Sequence, residues 1–393
     1  MKANNLRKLV DKVKVSFGKG KKLHFLHSTF EAFETFLFVP NAVTTRGSHI
    51  RDHIDLKRTM SVVVIAMLPA LLVGMLNVGY QHFLSIGEAI DFWSWRGFGF
   101  GFMKVFPIIV VSYVVGLGIE FGVAQARGHE VNEGYLVTGM LIPLIVPVDI
   151  PLWMVAMASA FTVIFGKEVF GGTGMNIFNP ALLARAFLFF AFPAYMSGDK
   201  VWIAGMMKGE GVVDGFSGAT PLAEAAAMNI DRLPSVMEMF IGSIPGSIGE
   251  TSTLAILIGA AILIFTGIGS WKIMFSAVAG AVVMGGLLNI FAGDNAYFAI
   301  PFWHHLMLGG FAFGVVFMAT DPVTASQTEK GKWIYGFLVG FLCILIRVLN
   351  PAFPEGVMLV ILLMNVFAPL IDHYVVQANI RRRLKRAASV SRG

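Results

Sequence analysis

The stretch MSVVVIAMLPALLVGMLNVGY, residues 60–80, decides the fold of this chain because it contains no charged side chain. A bilayer core about 30 Å thick is crossed by about 20 apolar residues in a helix that rises about 1.5 Å per residue. A run of similar length covers Trp271–Phe291, and a shorter one covers Val357–Leu370. The sequence therefore predicts several membrane-spanning helices.

The composition of the whole chain agrees with this prediction. Of its 393 residues, 56% are hydrophobic and 14% are charged, whereas soluble domains carry about 25% charged residues. The basic start, residues 1–22, lacks an apolar core followed by a small-residue cleavage site, so no secretory signal peptide is predicted. The single cysteine, Cys343, excludes an internal disulfide and a metal cluster ligated by several cysteines of this chain. We therefore expect an all-α polytopic membrane protein.

Apolar runs between breaks of glycine, proline and charge predict about ten transmembrane helices. Their ranges are 60–80, 98–122, 134–147, 152–168, 178–196, 251–268, 271–292, 302–319, 332–349 and 355–376. The third is short and interrupted by prolines, and the eighth is interrupted by glycines. Lipid cannot pair the backbone groups that such breaks expose, so two broken helices point to a central site.

Positive charges at both ends of the chain predict its orientation. They are Lys2, Arg7, Lys8, Lys12, Lys14, Lys19, Lys21 and Lys22 before the first span, and Arg381, Arg382, Arg383, Lys385 and Arg386 after the last. By the positive-inside rule both termini are expected in the cytoplasm, which requires an even number of spans. The predicted parts are a cytoplasmic basic segment (1–58), a five-helix repeat (59–196), an external loop (197–250), a second five-helix repeat (251–376) and a cytoplasmic basic tail (377–393).

Five helices in each half imply that the second half starts on the opposite side, so the repeats are expected to be inverted. Two short motifs that recur at equivalent positions of the two halves agree with this expectation. Asn179-Pro180-Ala181 opens the predicted fifth helix, and Asn350-Pro351-Ala352 precedes the tenth. Asp149-Ile150-Pro151 follows the third span, and Asp321-Pro322 follows the eighth.

Residues 214–222, in the predicted external loop, read DGFSGATPL. Small residues such as Gly218 and Ala219 leave the hydroxyls of Ser217 and Thr220 reachable. By itself the pattern fits two interpretations. It is an attachment site for a bulky group, or it is an ordinary loop in which Thr220 caps the helix that follows.

This stretch resembles the flavinylation motif of the B and C subunits of the bacterial sodium-translocating NADH:quinone oxidoreductase, and of the related Rnf complexes. In that family a separate transferase joins FMN through its phosphate to the hydroxyl of the final threonine. The resemblance implies that Thr220 carries covalent FMN, with Asp214, Ser217, Gly218 and Ala219 forming the motif around it.

Further segments extend the resemblance to the B subunit across nearly the whole chain. They are SHIRDHIDLKR (48–58), HEVNEG (129–134), GKEVFGGTGMNIFNPALLARAFLFFA (166–191), IGSIPGSIGETSTLA (241–255), LGGFAFGVVFMATDPVTAS (308–326) and IRVLNPAFPEGVML (346–359). The Rnf counterpart, its D subunit, lacks the long basic amino-terminal segment, so the chain is more similar to the B subunit of the sodium-translocating enzyme.

The resemblance implies a component of a redox-driven sodium pump in the bacterial inner membrane. Electrons from NADH pass through other subunits to the FMN, then to a non-covalent riboflavin and to ubiquinone, and their passage is coupled to Na⁺ export. Two alternatives stay open from the sequence. One is an Rnf-type ferredoxin:NAD oxidoreductase subunit, and the other is a flavin-free transporter or channel, since inverted repeats serve transporters widely.

A glycine-rich turn, GGTG at 171–174, precedes Asn176 and Asn179. The resemblance places riboflavin here, with the two amides as contacts to its polar ring system. The other interpretation is a helix-entry turn in which these asparagines act as caps. The turn is too short for a dinucleotide-binding fingerprint, which requires a preceding strand.

Charged residues inside predicted spans are functional candidates because a charge at the bilayer centre costs at least about 2.5–3.5 kcal/mol. Glu120 and Asp372 lie toward the predicted cytoplasmic ends of spans and are expected to attract Na⁺. Alternatively, these carboxylates are solvated by headgroups or paired with lysine. Gly116 is carried over from the family as a quinone-site residue. The sequence predicts neither a metal ligand set nor a catalytic side chain.

Overall fold

The computed structural model describes residues 2–17, 21, 27–38, 44–50, 54–128, 134–209, 212–213, 216–350 and 355–390. Two features noted in the sequence, Asp214 and the Pro351-Ala352 part of a recurring motif, lie outside these residues. The part of the chain that is described is helical and contains no β-strand. This confirms the all-α class.

The helices follow one another in a simple order along the chain. They are α1 (Lys2–Lys14), α2 (His27–Leu37), α3 (Leu56–Ser85), α4 (Trp95–Arg127), α5 (Tyr135–Leu144), α6 (Leu152–Gly166), α7 (Pro180–Ala191), α8 (Pro193–Met196), α9 (Pro221–Ala226), α10 (Val236–Ile241), α11 (Thr253–Phe265), α12 (Trp271–Ile290), α13 (His304–Met307), α14 (Phe311–Phe313), α15 (Glu329–Leu349) and α16 (Val357–Val390). A π-helical turn, Gly314–Met318, follows α14 directly.

Within the described ranges, six helical segments are long and apolar enough to cross a membrane. They are α3, α4, α6 with the turn after it, α12, α15 and α16. The predicted fifth and sixth spans are shorter than expected, because α7 has 12 residues and α11 has 13. Helices of that length reach only about 20 Å and do not cross a bilayer core alone. The count of ten spans therefore stays a prediction.

Proline and glycine explain where the short helices end. α7 stops at Ala191, just before Pro193. The predicted third span is α5, which has 10 residues. The predicted eighth span is divided between α13, α14 and the π-helical turn. Between α13 and α14, Gly309 has a φ of +62°, which favours glycine.

The last helix is longer than predicted. α16 has 34 residues and continues without a break to Val390. Most of the segment 377–393, which the sequence set apart as a basic tail, therefore belongs to the same helix as the last span.

Glycines bring helix backbones into direct contact. A Cβ atom at Gly340 of α15 would lie 1.8 Å from the carbonyl oxygen of Ala277 of α12. A Cβ atom at Gly101 of α4 would likewise lie 1.8 Å from the carbonyl oxygen of Met75 of α3. Small residues at such crossings let membrane helices approach closely enough to gain dispersion energy, since hydrophobic association is weak between helices in lipid.

Two pairs of helices from the two halves of the chain run antiparallel. The start of α7 contacts the middle of α16, because the Asn179 amide donates to the Asn365 side chain at 3.1 Å. The end of α7 and the start of α16 line one cleft together. Similarly, the start of α3 and the end of α11 line one cavity, and the two helices pack closely where Gly259 lies against the Ala66 carbonyl.

The α12–α15 crossing gives a direct test of this packing. Gly340→Leu is expected to destabilise the protein by at least about 1–3 kcal/mol, because the added side chain overlaps the α12 backbone. Gly286→Leu is the matched control, since a Cβ atom at Gly286 of the same helix pair meets open space. Thermal melting of the detergent-solubilised protein, followed by size-exclusion chromatography, measures both. Equal melting temperatures for the two variants would contradict the packing argument.

Candidate functional site: two cavities at opposite ends of one helix

Two cavities lie at the two ends of α7, which is about 18 Å long. The first, which we call the Asn cavity, is lined by Asn176 and Asn179 near the start of α7. The second, the Thr220 cleft, is lined by Phe189 near its end. Both have mostly apolar walls with a few polar groups, as ligand pockets usually do.

The Asn cavity is formed by the starts of α3, α5 and α7, the end of α11 and the segment after the π-helical turn. Its polar lining residues are Thr59, Thr138, Lys167, Thr173, Asn176, Asn179, Thr320 and Asp321. Apolar residues such as Val137, Leu141 and Phe317 form the rest of the wall. A mostly apolar wall with a few polar groups suits a flat heterocyclic ligand.

The two asparagines also have structural partners. Asn179 caps α7, because its side-chain oxygen accepts from the amides of Ala181 and Leu182 at 3.0 and 3.3 Å. The Asn176 side chain donates to the Phe178 carbonyl at 3.0 Å. The capping interpretation therefore holds for Asn179, and both residues face the cavity as well. Contact with riboflavin remains a prediction.

Asn365, which sequence reasoning missed, holds the edge of this cavity together. Its side chain accepts from the Asn179 amide at 3.1 Å and donates to the Thr324 carbonyl at 3.3 Å and to the Tyr335 hydroxyl at 3.2 Å. One buried amide thus joins α7, α15, α16 and the loop after the π-helical turn. An asparagine inside an apolar run was the available signal.

Glu120 is buried and forms an ion pair with Lys167. The Oε1 atom of Glu120, which contacts Lys167, also accepts from the Thr173 hydroxyl at 3.3 Å. Its Oε2 atom has no hydrogen-bond partner among the described residues. The structure thus shows the pairing with lysine that the sequence left open as the alternative to cation binding. The role of Glu120 in Na⁺ uptake stays a prediction.

Asp372 anchors the start of α15. Its carboxylate accepts from the hydroxyls of Ser326 and Thr328, each at 2.6 Å, and from the amides of Gln327 and Thr328 at 2.7 and 3.0 Å. These four bonds give the carboxylate a structural role that its position in the sequence did not reveal. A role in Na⁺ uptake is likewise a prediction only.

Gly116 is a contact point between α4 and α5. A Cβ atom at this position would lie 2.0 Å from the ring of Tyr135, so only glycine allows this packing. Gly116 lines neither the Asn cavity nor the Thr220 cleft. The quinone assignment stays a prediction that rests on the resemblance.

Thr220 lies at the start of α9 and faces the second cavity. Its hydroxyl oxygen accepts from the Ala223 amide at 3.2 Å, so the capping interpretation of this residue also holds. A cap uses an oxygen lone pair and leaves the hydroxyl proton available. The cleft that Thr220 faces is also lined by Trp202, Glu355 and Met358.

Two other residues of the motif, Ser217 and Gly218, directly precede Ala219 and Thr220. Ser217 is exposed, and its oxygen accepts from the Ala219 amide at 3.3 Å. Gly218 is buried, and a Cβ atom there would lie 2.3 Å from the carbonyl oxygen of Asp199. The sequence suggested that Gly218 keeps the threonine hydroxyl reachable. The structure adds that this glycine packs against the neighbouring loop.

A buried charge cluster borders the Thr220 cleft. Arg185 of α7 forms ion pairs with Glu250, at 3.3 Å, and with Glu355. It also donates to the Ile145 carbonyl at 2.5 Å. Arg347 of α15 donates to the carbonyls of His305 and Glu355 at 2.9 and 3.4 Å. The two carboxylate partners of Arg185 lie 65 and 170 residues away in the chain, so the sequence did not reveal them.

Comparison with known proteins identifies the family. The sequence profile of the NQR2, RnfD, RnfE family matches residues 43–381. The chain belongs to this family. It is 48% identical to the B subunit of the Na(+)-translocating NADH-quinone reductase of Pseudomonas aeruginosa (strain LESB58), over 97% of this chain and 99% of the relative. The same subunit of Chromohalobacter salexigens is 47% identical over 98% of each chain, and that of Azotobacter vinelandii is 48% identical over 97% and 99%.

These findings confirm the resemblance that the sequence motifs indicated. The three relatives carry the name of the sodium-translocating reductase, and none of the three is named as an Rnf protein. Family membership and the six long apolar helices together identify a multi-pass membrane protein.

The charge cluster predicts that replacing Arg185 destabilises the protein much more than replacing Arg127. Arg185→Leu is expected to destabilise the protein by about 3–5 kcal/mol, because it leaves the buried Glu250 carboxylate without its counter-charge and also removes the partner of the partly exposed Glu355. Arg127→Leu is the control, since Arg127 pairs with Glu168 but is about half exposed, and an exposed pair contributes about 0–1 kcal/mol. Thermal melting of the solubilised protein measures both changes. A loss for Arg185→Leu no larger than the loss for Arg127→Leu would show that the cluster is not what stabilises this region.

Proposed function

We propose that this chain is the B subunit of a Na⁺-translocating NADH-quinone reductase. In this function it passes electrons that enter from NADH through covalent FMN and riboflavin to ubiquinone, coupled to Na⁺ export. The observation that carries the proposal is the 47–48% identity to proteins of that name along nearly the whole chain. Its partners are then the other subunits of the complex, ubiquinone, Na⁺ and the lipids of the bacterial inner membrane.

The environment of Thr220 fits covalent FMN. The hydroxyl is half-buried at the edge of the Thr220 cleft, and its proton is free of the capping bond. A phosphoester at this oxygen would replace the hydroxyl proton and would keep the lone pair that accepts from Ala223. Trp202 offers an aromatic face to an isoalloxazine ring, and Met358 and Leu359 offer apolar contacts.

The Asn cavity fits riboflavin. The side chains of Asn176, Asn179 and Thr138 place donors and acceptors on a mostly apolar wall. Bound flavins supply the electron chemistry, and the protein supplies binding, orientation and electrostatics. Asn365 fixes the position of Asn179 in the wall.

The arrangement of the two cavities supports the expected topology. They lie at opposite ends of α7, so a loop that carries Thr220 outside the membrane places the Asn cavity toward the cytoplasm. The basic residues at both ends of the chain favour cytoplasmic termini in the same orientation. The antiparallel pairs α3–α11 and α7–α16 join equivalent helices of the two halves, which supports the inverted repeat.

The first prediction from this proposal concerns Thr220. Thr220→Ala is expected to abolish covalent flavin, whereas Thr220→Ser retains part of it because the hydroxyl persists. Loss of the cap costs about 0.5–2 kcal/mol, so folding survives. Ser235→Ala is the matched control, because Ser235 caps the equally short α10 in the same loop region. In-gel ultraviolet fluorescence of the denatured protein measures the flavin. A Thr220→Ala chain as fluorescent as the Ser235→Ala chain would place the attachment elsewhere.

The second prediction concerns riboflavin. Thr138 is buried and lines the Asn cavity, so Thr138→Phe fills space that the flavin needs and is expected to reduce the flavin released by acid extraction of the purified complex. Val114→Phe is the control, because Val114 is 66% exposed on α4. The covalent flavin should be unchanged in both variants. Full riboflavin content in Thr138→Phe would exclude the Asn cavity as its site.

A further inference from the structure

Lys167 is the charged donor of the Asn cavity. It lies directly after α6, is only 4% exposed, and lines the cavity wall together with Gly134 and Thr173. A Cβ atom at Gly134 would lie 2.5 Å from the Thr173 side chain and 3.1 Å from the Lys167 ammonium, so the glycine leaves room for both side chains. A lysine is rarely buried to this extent unless it has a partner.

Glu120 is that partner, but the ion pair does not use all the hydrogen-bond donors and acceptors of the two side chains. An ammonium has three protons and a carboxylate has several acceptor positions. In the described part of the chain, Lys167 donates to one oxygen of Glu120, and the other oxygen is buried without a hydrogen-bond partner. The pair therefore retains unused donors and an unused acceptor next to a cavity.

Asp321, the other charged residue on the cavity wall, is engaged differently. One of its oxygens accepts from the Val323 amide at 3.1 Å and the other accepts from the Thr324 hydroxyl at 3.0 Å. Its carboxylate thus holds the turn after the π-helical segment. Among the described lining residues, Lys167 is the cationic one.

We infer that Lys167 binds the carbonyl-bearing edge of the ligand in the Asn cavity, and that Glu120 is a positioning residue that acts through Lys167. The inference rests on the proposed function, which makes this ligand riboflavin. The pyrimidine edge of its ring presents two carbonyl oxygens and the ring nitrogen N1, which accept hydrogen bonds from an ammonium, whereas its N3–H group donates. A cation at this edge favours the electron-rich reduced ring over the oxidised ring, and the Glu120 charge limits that effect.

The test uses the purified complex and the variants Lys167→Met, Glu120→Gln and the double variant. Lys167→Met is expected to weaken binding of the extractable flavin by about tenfold or more, as for loss of one charge-assisted hydrogen bond. The midpoint potential of the flavin in this variant is expected to shift to more negative values. Glu120→Gln shifts the potential to more positive values, because the lysine charge is no longer compensated. The double variant should retain as little flavin as Lys167→Met, since Glu120 contributes to flavin binding only through the lysine. Its midpoint potential should lie above that of Lys167→Met, because the double variant also lacks the negative charge of Glu120.

Two controls keep the result interpretable. Arg127→Gln disrupts the neighbouring ion pair with Glu168, which lies outside the lining of the Asn cavity, and should leave the extractable flavin unchanged. Covalent flavin on Thr220 reports that each variant is folded and assembled. If Lys167→Met alone fails to assemble because it leaves Glu120 unpaired, the double variant removes both charges and carries the comparison.

Three outcomes would overturn the inference. One is unchanged flavin content and potential in both the Lys167→Met and the double variants. Another is a further loss of flavin when Glu120→Gln is added to Lys167→Met. The third is a Glu120→Gln protein that alters Na⁺ dependence but not the flavin. Failure of the proposed function looks different, because acid extraction of the wild-type complex would then release no riboflavin.

Discussion

The structure depends on one constraint: polar groups placed among apolar helices must find their partners inside the protein. Arg185 meets this constraint with Glu250, Glu355 and a backbone carbonyl, and Arg347 meets it with two carbonyls. Asn365 meets it with three groups on three different segments. Because each partner comes from a different helix or loop, the same bonds that satisfy the polar groups also fix the relative positions of the short helices.

The short and broken helices determine where the cavities form. α5 and the segment from α13 to the π-helical turn end inside the protein, and their ends expose backbone and side-chain polar groups there. Glycines at the α3–α4 and α12–α15 crossings let the long helices pack tightly around these interruptions. α7 then links the two openings, so the residues that position it, Asn179 at one end and Arg185 in its middle, affect both the Asn cavity and the Thr220 cleft.

Much of this architecture was predictable because apolar length is a strong signal. The six long helices, the short α5 and the broken eighth segment followed from apolar runs and their breaks. The lengths of α7 and α11 did not, because an apolar run does not show where a helix stops. At the candidate sites Thr220, Asn176 and Asn179 stay predictions from the sequence, which missed Lys167, Glu250, Glu355 and Asn365. Their roles depend on partners 47 to 186 residues away in the chain, and such pairings cannot be read from local patterns.

The continuous last helix has a mechanical consequence. α16 runs from the Thr220 cleft, past Asn365, to Val390, and its 34 residues extend for about 50 Å, well beyond a hydrocarbon core of about 30 Å. Its basic residues from Arg381 to Arg386 therefore lie on the same helix as the last span instead of on a loose tether. Pro369 interrupts the backbone hydrogen bonds of this helix between its two ends. A displacement of the basic end would therefore reach the end that borders the Thr220 cleft only past this proline.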